Sequence, residues 1–188
     1  MDKAKFYSAV RSTVLGPTLD QTEVDGCEAV LDAMAGTPLA HCAYALATAA
    51  WETNRTMQPV REAYWLSEAW RKKNLRYWPW YGRGYVQLTW KANYEKADAE
   101  LDLGGTLLAN ADRAMEPRIA AMVMRRGMVE GWFTGHTLAR HLPARLGTVK
   151  QFENARRIIN GTDKAHPIAL IAVDFQDALV AGGWGNAA

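Results

Sequence analysis

The run Leu39-Ala40-His41-Cys42-Ala43-Tyr44-Ala45-Leu46-Ala47-Thr48-Ala49-Ala50-Trp51-Glu52 constrains the fold more than any other stretch of the chain. It is rich in small residues, and Leu39, Cys42, Ala43, Leu46 and Ala50 recur at helical spacing. It also falls short of the roughly 18 uninterrupted apolar residues of a membrane span. The pattern predicts a central core helix, opened by Thr37 as N-cap with Pro38 at the first helical position. Glu52 then stands at the C-terminal end, where the helix dipole disfavours negative charge.

Other helices follow from periodicity and caps. One is predicted over residues 3–14, closed by the Gly16-Pro17 turn. A second is announced by Asp20 with Glu23 three residues on, a capping-box pattern, with Val24, Cys27, Leu31 and Met34 as its apolar face. Further helices are predicted over residues 117–130, briefly near Leu138, over 152–159 and over 163–181, where Ile168, Ile171, Ala172, Phe175 and Leu179 recur. Prolines and aromatics break the pattern over residues 59–80, which reads as a connecting segment carrying Glu62 across a cleft from the central helix. Val86, Leu88 and Trp90 alternate with Gln87 and Thr89, so an extended chain would place the amide and the hydroxyl on one face. Thr89 is then the expected N-cap of a helix through Glu100, with Asn93 one turn on.

With 188 residues, 49% hydrophobic and 22% charged, the chain fits one domain, residues 1–188, able to bury a core without staples. A net charge of +2 falls well short of a nucleic-acid footprint, and no nucleic-acid partner is expected. Cys27 and Cys42 lie on apolar helix faces and read as buried thiols. His41, His136, His141 and His166 form no metal-ligand spacing, so neither a metal nor another cofactor is expected. No G-x-S-x-G elbow is present, and Gly82-Arg83-Gly84 reads as backbone geometry rather than a phosphate loop. The start Met1-Asp2-Lys3-Ala4-Lys5-Phe6-Tyr7 has no basic segment leading an apolar one, so no signal peptide or stable membrane insertion is expected.

Glu52 and Glu62 flank a region rich in aromatics, amides and hydroxyls. Cleavage of a glycosidic bond needs one carboxylic acid to protonate the leaving oxygen and a second carboxylate to activate water or attack the anomeric carbon. Sugar rings stack on aromatic faces, and Trp78, Trp80 and Tyr81 are the expected exposed platforms. Each residue also has a plainer reading. Glu52 would pair with Arg55 or Arg61, Glu62 would be a surface charge, Thr89 only a cap, and Asn160 before Gly161 only a turn.

The segment AYALATAAWETNRTMQPVREAYW with YGRGYVQLTWKANY, and downstream ARRIINGTDK, resembles the family 19 glycoside hydrolases, that is chitinases and the related bacteriophage endolysins, in particular the endolysin branch. The resemblance covers most of the chain. It implies a mainly α, lysozyme-like, two-lobed helical domain with a central helix, a cleft and little or no β-sheet. It makes Glu52 the general acid, Glu62 the holder of the attacking water, Thr89 a hydroxyl that orients that water, and Gln87, Asn93 and Asn160 sugar-binding amides. Trp51 replaces the family's histidine beside the acid. Glu68 is a weaker second carboxylate, Asn74 stands at the chitinase-like distance, and Lys164 replaces a glutamate of the family's ion-pair network.

The implied activity is that of an endolysin on the β-1,4-linked glycan strand of bacterial peptidoglycan, with inversion and carboxyl groups roughly 6.5 to 9.5 Å apart. The alternatives are a chitinase, or a non-catalytic glycan-binding module suggested by Trp51. The implied setting is a monomer made in the host bacterial cytoplasm, released by a separate membrane-permeabilising protein and acting on the cell wall.

Overall fold

The structure, a computed structural model, describes residues 1–185. Among these are ten α-helices and one two-stranded sheet, a mainly α, lysozyme-like fold. The helices are α1 (Lys3–Thr13), α2 (Gln21–Ala33), α3 (Leu39–Glu52), α4 (Glu68–Asn74), α5 (Lys91–Glu100), α6 (Thr106–Ala109), α7 (Pro117–Glu130), α8 (Leu138–His141), α9 (Val149–Ala155) and α10 (Ala165–Gly182). Strands β1 (Val60–Arg61) and β2 (Arg83–Gly84) pair antiparallel, Val60 opposite Gly84 and Arg61 opposite Arg83.

Every side chain of α3 from Leu39 to Ala50 is buried, so this helix is the centre of the core. α3 packs chiefly against α10, which also holds α1 and α9. A second group of elements gathers on α7 and the 3₁₀ turn Ala111–Met115, to which β2 and α6 attach. α2 joins the two groups by packing on both α3 and α7. The alanines of α3 permit these close approaches, because larger side chains would overpack the same space.

The capping box of α2 forms as the sequence predicts: Asp20 Oδ1 accepts from the Glu23 backbone N–H at 2.8 Å, and Glu23 Oε2 from that of Asp20 at 2.9 Å. Its buried stripe is Gly26, Cys27, Val30 and Leu31, with Val24 only half-buried. α7 spans its predicted residues, and both cysteines are free and buried. The helix expected over residues 152–159 starts earlier, at Val149, behind a Thr148–Gln151 capping box, and tightens into a 3₁₀ turn, Arg156–Ile158. Lys164, at φ 56°, delays the start of α10 to Ala165.

Three expectations fail. Thr37 is not the N-cap of α3; Pro38 is, because the Thr37 hydroxyl donates to the Met34 carbonyl at 2.7 Å and closes the end of α2 instead. Residues 86–90 are not extended. Arg83 and Leu88 exchange backbone hydrogen bonds of 3.2 and 2.9 Å, which closes a tight loop with Gln87 at φ 53°. Thr89 does not cap α5; Trp90, at φ 73°, occupies that position without a side-chain bond, while the Thr89 hydroxyl donates to the Gln87 carbonyl at 2.7 Å. The segment read as irregular also contains α4, capped by Ser67, whose hydroxyl accepts from the Trp70 N–H at 3.1 Å.

Gly26 sets the distance between α2 and the loop after α3. A Cβ there would lie 1.9 Å from the Met57 carbonyl oxygen, and that oxygen is held by the Tyr85 hydroxyl at 2.9 Å. Backbone fixed in this way yields little, so Gly26→Ala is expected to cost about 2–3 kcal/mol and lower Tm by roughly 5–10 °C in thermal denaturation. An unchanged Tm would show that the loop is free to move.

Candidate active site

Glu52 is the last residue of α3, and its side chain is 24% exposed. Its Oε1 accepts from Nη1 of Arg156 at 2.8 Å, and the Arg156 side chain is only 5% exposed. Arg156 opens the 3₁₀ turn after α9, and its Nε donates to the Asp163 carbonyl at 3.1 Å. The partner of Glu52 is thus neither Arg55 nor Arg61. The ion pair brings the downstream segment that carries Asn160 against the end of α3. Asn160 itself is exposed, in the bend that follows the 3₁₀ turn, with its backbone N–H bonded to the Arg156 carbonyl at 2.9 Å.

The loop leaving Glu52 is strained. Asn54, Arg55 and Met57 have φ of 50°, 67° and 54°, and Ala63, Gln87 and Trp90 share the left-handed region. These are six of the eight non-glycine residues with positive φ among the described residues. Such conformations persist only where the surroundings over-determine them, and they gather at functional sites. Thr53 supplies part of that constraint: its hydroxyl donates to the Ala49 carbonyl at 2.8 Å and accepts from the Met57 N–H at 3.0 Å. Trp51, where the resembling family has histidine, is half-buried against the core.

Glu62 follows β1, so it stands on the hairpin edge at the far end of that loop. Its Oε1 accepts from the Tyr77 hydroxyl at 2.5 Å and its Oε2 from the Gly82 N–H at 3.0 Å. The bond to Glu62, then burial, pushes the Tyr77 phenol up to about 12. Gln87 donates through Nε2 to the Val60 carbonyl at 3.0 Å and the Gly84 carbonyl at 3.3 Å, locking the hairpin from within. Asn93 Nδ2 donates to the Thr89 carbonyl at 2.7 Å. The Gln87 amide therefore braces the backbone that presents the site, while Asn93 makes one such bond and stays exposed. With its proton committed to Gln87, the Thr89 oxygen keeps its lone pairs free to accept.

The aromatic expectations are partly overturned. Tyr81 is 1% exposed, its hydroxyl donating to Glu68 Oε2 at 2.9 Å and its ring lying 3.6 Å from the Arg83 guanidinium carbon. Trp80 is half-buried against Tyr94, ring centroids 5.2 Å apart, and packs on the core. Neither is an exposed platform. Trp78 is exposed, with Nε1 on Glu68 Oε1 at 2.9 Å and the Lys72 ammonium 4.9 Å from its ring centre. Burial pushes the Glu68 carboxyl up, but its bonds from Trp78 and Tyr81 and the nearby Arg71 and Arg83 outweigh this and hold it below its ordinary value. Glu68 thereby ties α4 to the chain at residues 78–81. Asn74, ending α4, turns its Nδ2 onto the Trp70 carbonyl at 2.8 Å.

Sequence reasoning missed three groups. Tyr64 and Trp65, just after Glu62, are 68% and 71% exposed and meet edge to face at 5.2 Å. Trp90, 45% exposed, packs at 4.8 Å on Tyr77, the tyrosine that holds Glu62. Arg156 lies in the quoted ARRIINGTDK run, but nothing in the sequence marks it as the partner of Glu52, 104 residues away.

Behind the hairpin, the buried Arg83 places Nε on Asp112 Oδ1 at 2.8 Å and Nη1 on the Pro79 and Tyr81 carbonyls and the Tyr94 hydroxyl. Arg61 meets the other Asp112 oxygen at 2.9 Å.

The arrangement as a whole is a lysozyme-like helical domain with two carboxylates at the two ends of one strained loop and exposed aromatic rings beside the second. No protein-family model and no curated protein sequence matches the chain. Among solved structures it is similar to chitinase C from Streptomyces griseus HUT6037, with a TM-score of 0.63 and 21% identity over 97% of this chain and 76% of that one. At that identity the likeness establishes the fold.

Asp112 gives the hairpin a pH dependence. Burial pushes its carboxyl up, but Arg61 and Arg83 outweigh this and hold it below its ordinary value of 3.8. A depressed folded-state value means that the stabilisation is complete above 3.8 and is lost as pH falls through the folded-state value. Asp112→Asn is therefore expected to lower Tm at neutral pH and to converge with the wild type in strong acid. A constant difference across that range would detach Asp112 from the ion pairs.

Proposed function

We propose that the chain is a glycoside hydrolase that cleaves the β-1,4-linked glycan strand of bacterial peptidoglycan by an inverting, two-carboxylate mechanism. The observation that carries this reading is the unlike setting of the two carboxylates, one against a buried arginine at a helix end and one against neutral donors on a hairpin edge. Glu52 is the acid. Arg156 pairs with Oε1 of the resting carboxylate, so the proton taken up as the glycan binds sits on Oε2, passes to the leaving oxygen and leaves the carboxylate paired with Arg156 again. Glu62 is the base. A water donating one proton toward Glu62 and the other to the free lone pairs of Thr89 turns its own lone pair to the anomeric carbon. Tyr64, Trp65 and Trp90 offer ring faces to the sugars, and Asn160 an exposed amide.

The chitinase reading stays as the second, supported by the fold shared with chitinase C. In the peptidoglycan reading the protein works as a monomer, is made in the host cytoplasm and reaches the wall after a separate protein permeabilises the membrane. No helix among the described residues is long and apolar enough to cross a membrane.

Mass spectrometry of the products separates the two readings: muropeptides released from purified sacculi support the first, oligosaccharides from colloidal chitin alone the second. Glu52→Gln removes the transferable proton, so product release should fall about 10²–10⁴-fold with the far-ultraviolet circular dichroism unchanged. Because Arg156 loses its counter-charge, this variant should also melt a few degrees lower. Near-wild-type release would remove Glu52 from the chemistry. NMR of fresh product should show the α-anomer first, and an initial β-anomer would overturn inversion and the role of Glu62.

Trp65→Ala removes an exposed ring that the core does not need. The expected result is an unchanged Tm with KM on sacculi raised roughly fivefold, about 1 kcal/mol of binding. An unchanged KM would take Trp65 out of the glycan path.

A further inference from the structure

A cavity of about 780 Å³ lies between α2 and α7, and it shares no lining residue with the Glu52 and Glu62 site. Its two walls carry opposite charge. α2 contributes Asp25 and Asp32, and α7 contributes Arg118 and Arg125, over a floor that includes Ala29 and Met122. Other charges at its edge are already committed: Arg126 pairs with Glu100 and Glu130, and Glu28 with Lys3 and the Tyr7 hydroxyl. Asp25 accepts only from the neutral Gln21 amide among the described side chains, at 2.7 Å. The Arg125 Nε is buried without a hydrogen-bond partner.

Asp25 and Asp32 on one wall form no ion pair with Arg118 or Arg125 on the other among the described residues, so a ligand carrying both signs would meet a counter-charge on each wall. A simple anion would satisfy only α7, a simple cation only α2, and an apolar molecule neither. The volume is within the range of small-molecule sites, roughly 300–1,000 Å³, and an extended tripeptide spans at most roughly 10 Å. We propose that this cavity binds a short zwitterionic peptide of small residues, with its carboxylate on Arg118 and Arg125, its ammonium on Asp25 and Asp32 and its side chains on the apolar floor. Planar guanidinium groups suit the carboxylate, because they present paired donors. The site stands apart from the hydrolytic reading and does not depend on it.

Trialanine is the probe, titrated into isotope-labelled protein to millimolar concentration and followed by amide NMR. The expected result is saturable shifts at Ala29, Ala33 and Met122, with N-acetyl-trialanine amide binding at least roughly tenfold more weakly. Asp32→Asn and Arg118→Gln alter exposed residues, so they should fold normally, and each should weaken binding roughly tenfold. Glu52→Gln should bind trialanine as the wild type does, whatever its activity, which separates failure here from failure of the hydrolytic reading. Absence of shifts at these residues, equal binding of the capped peptide, or unaltered binding by both variants would overturn the proposal.

Discussion

A helix buried on every side can carry charge only at its ends, and α3 depends on how that end charge is met. Glu52 is met by Arg156, which is itself buried and draws further on the Asp163 carbonyl. Each group would be costly to bury alone, because removing one partner of such a pair leaves the other uncompensated. The pair therefore binds three distant pieces of chain together: the end of the central helix, the 3₁₀ turn after α9, and the approach to α10. The helix C-terminus disfavours negative charge, and the guanidinium offsets that disadvantage at the same atom group.

The second carboxylate rests on a different kind of support. Glu62 receives a phenol and a backbone N–H, and the hairpin that presents it is held from inside by Gln87 and from behind by Arg83 and Asp112. These bonds stabilise a loop region where non-glycine residues adopt left-handed conformations of order 1–3 kcal/mol each. The strain is local, while its compensation comes from β1, α4 and the Ala111–Met115 turn.

Helices with regular periodicity and strong ends were legible in the sequence. Asp20 with Glu23, Pro117 and the apolar stripe of α10 each state a local preference that the packing keeps. The failures were decided by specific bonds and backbone conformations that periodicity does not register, some of them only two or three residues away, as between Thr89 and Gln87 and between Thr37 and Met34. Tyr81 reads as an exposed ring until Arg83 lies on it and Glu68 takes its hydroxyl. Gln87 and Trp90 read as strand residues because nothing in a glutamine or a tryptophan announces a positive φ. The partner of Glu52 lies 104 residues away, beyond any periodic signal. Resemblance marked which glutamates to examine, but only the fold showed what holds them.

The fate of the amides bears on how the proposed cleft would select its substrate. Gln87 and Asn93, read from sequence as sugar-binding groups, turn their N–H donors onto backbone carbonyls, and Thr89 does the same with its hydroxyl proton. Asn93 and Asn160 both remain exposed, and exposed rings accompany them at Tyr64, Trp65, Trp78 and Trp90. A site built to hydrogen-bond each hydroxyl rejects sugars that carry substituents, because its buried polar groups are then left unpaired. A site that stacks ring faces tolerates them, since every pyranose presents an apolar face whatever its hydroxyls bear. Under the proposed activity the aromatic wall beside Glu62 would accept sugars whose hydroxyls carry substituents, and discrimination would fall to the few exposed polar groups, Asn93 and Asn160 among them.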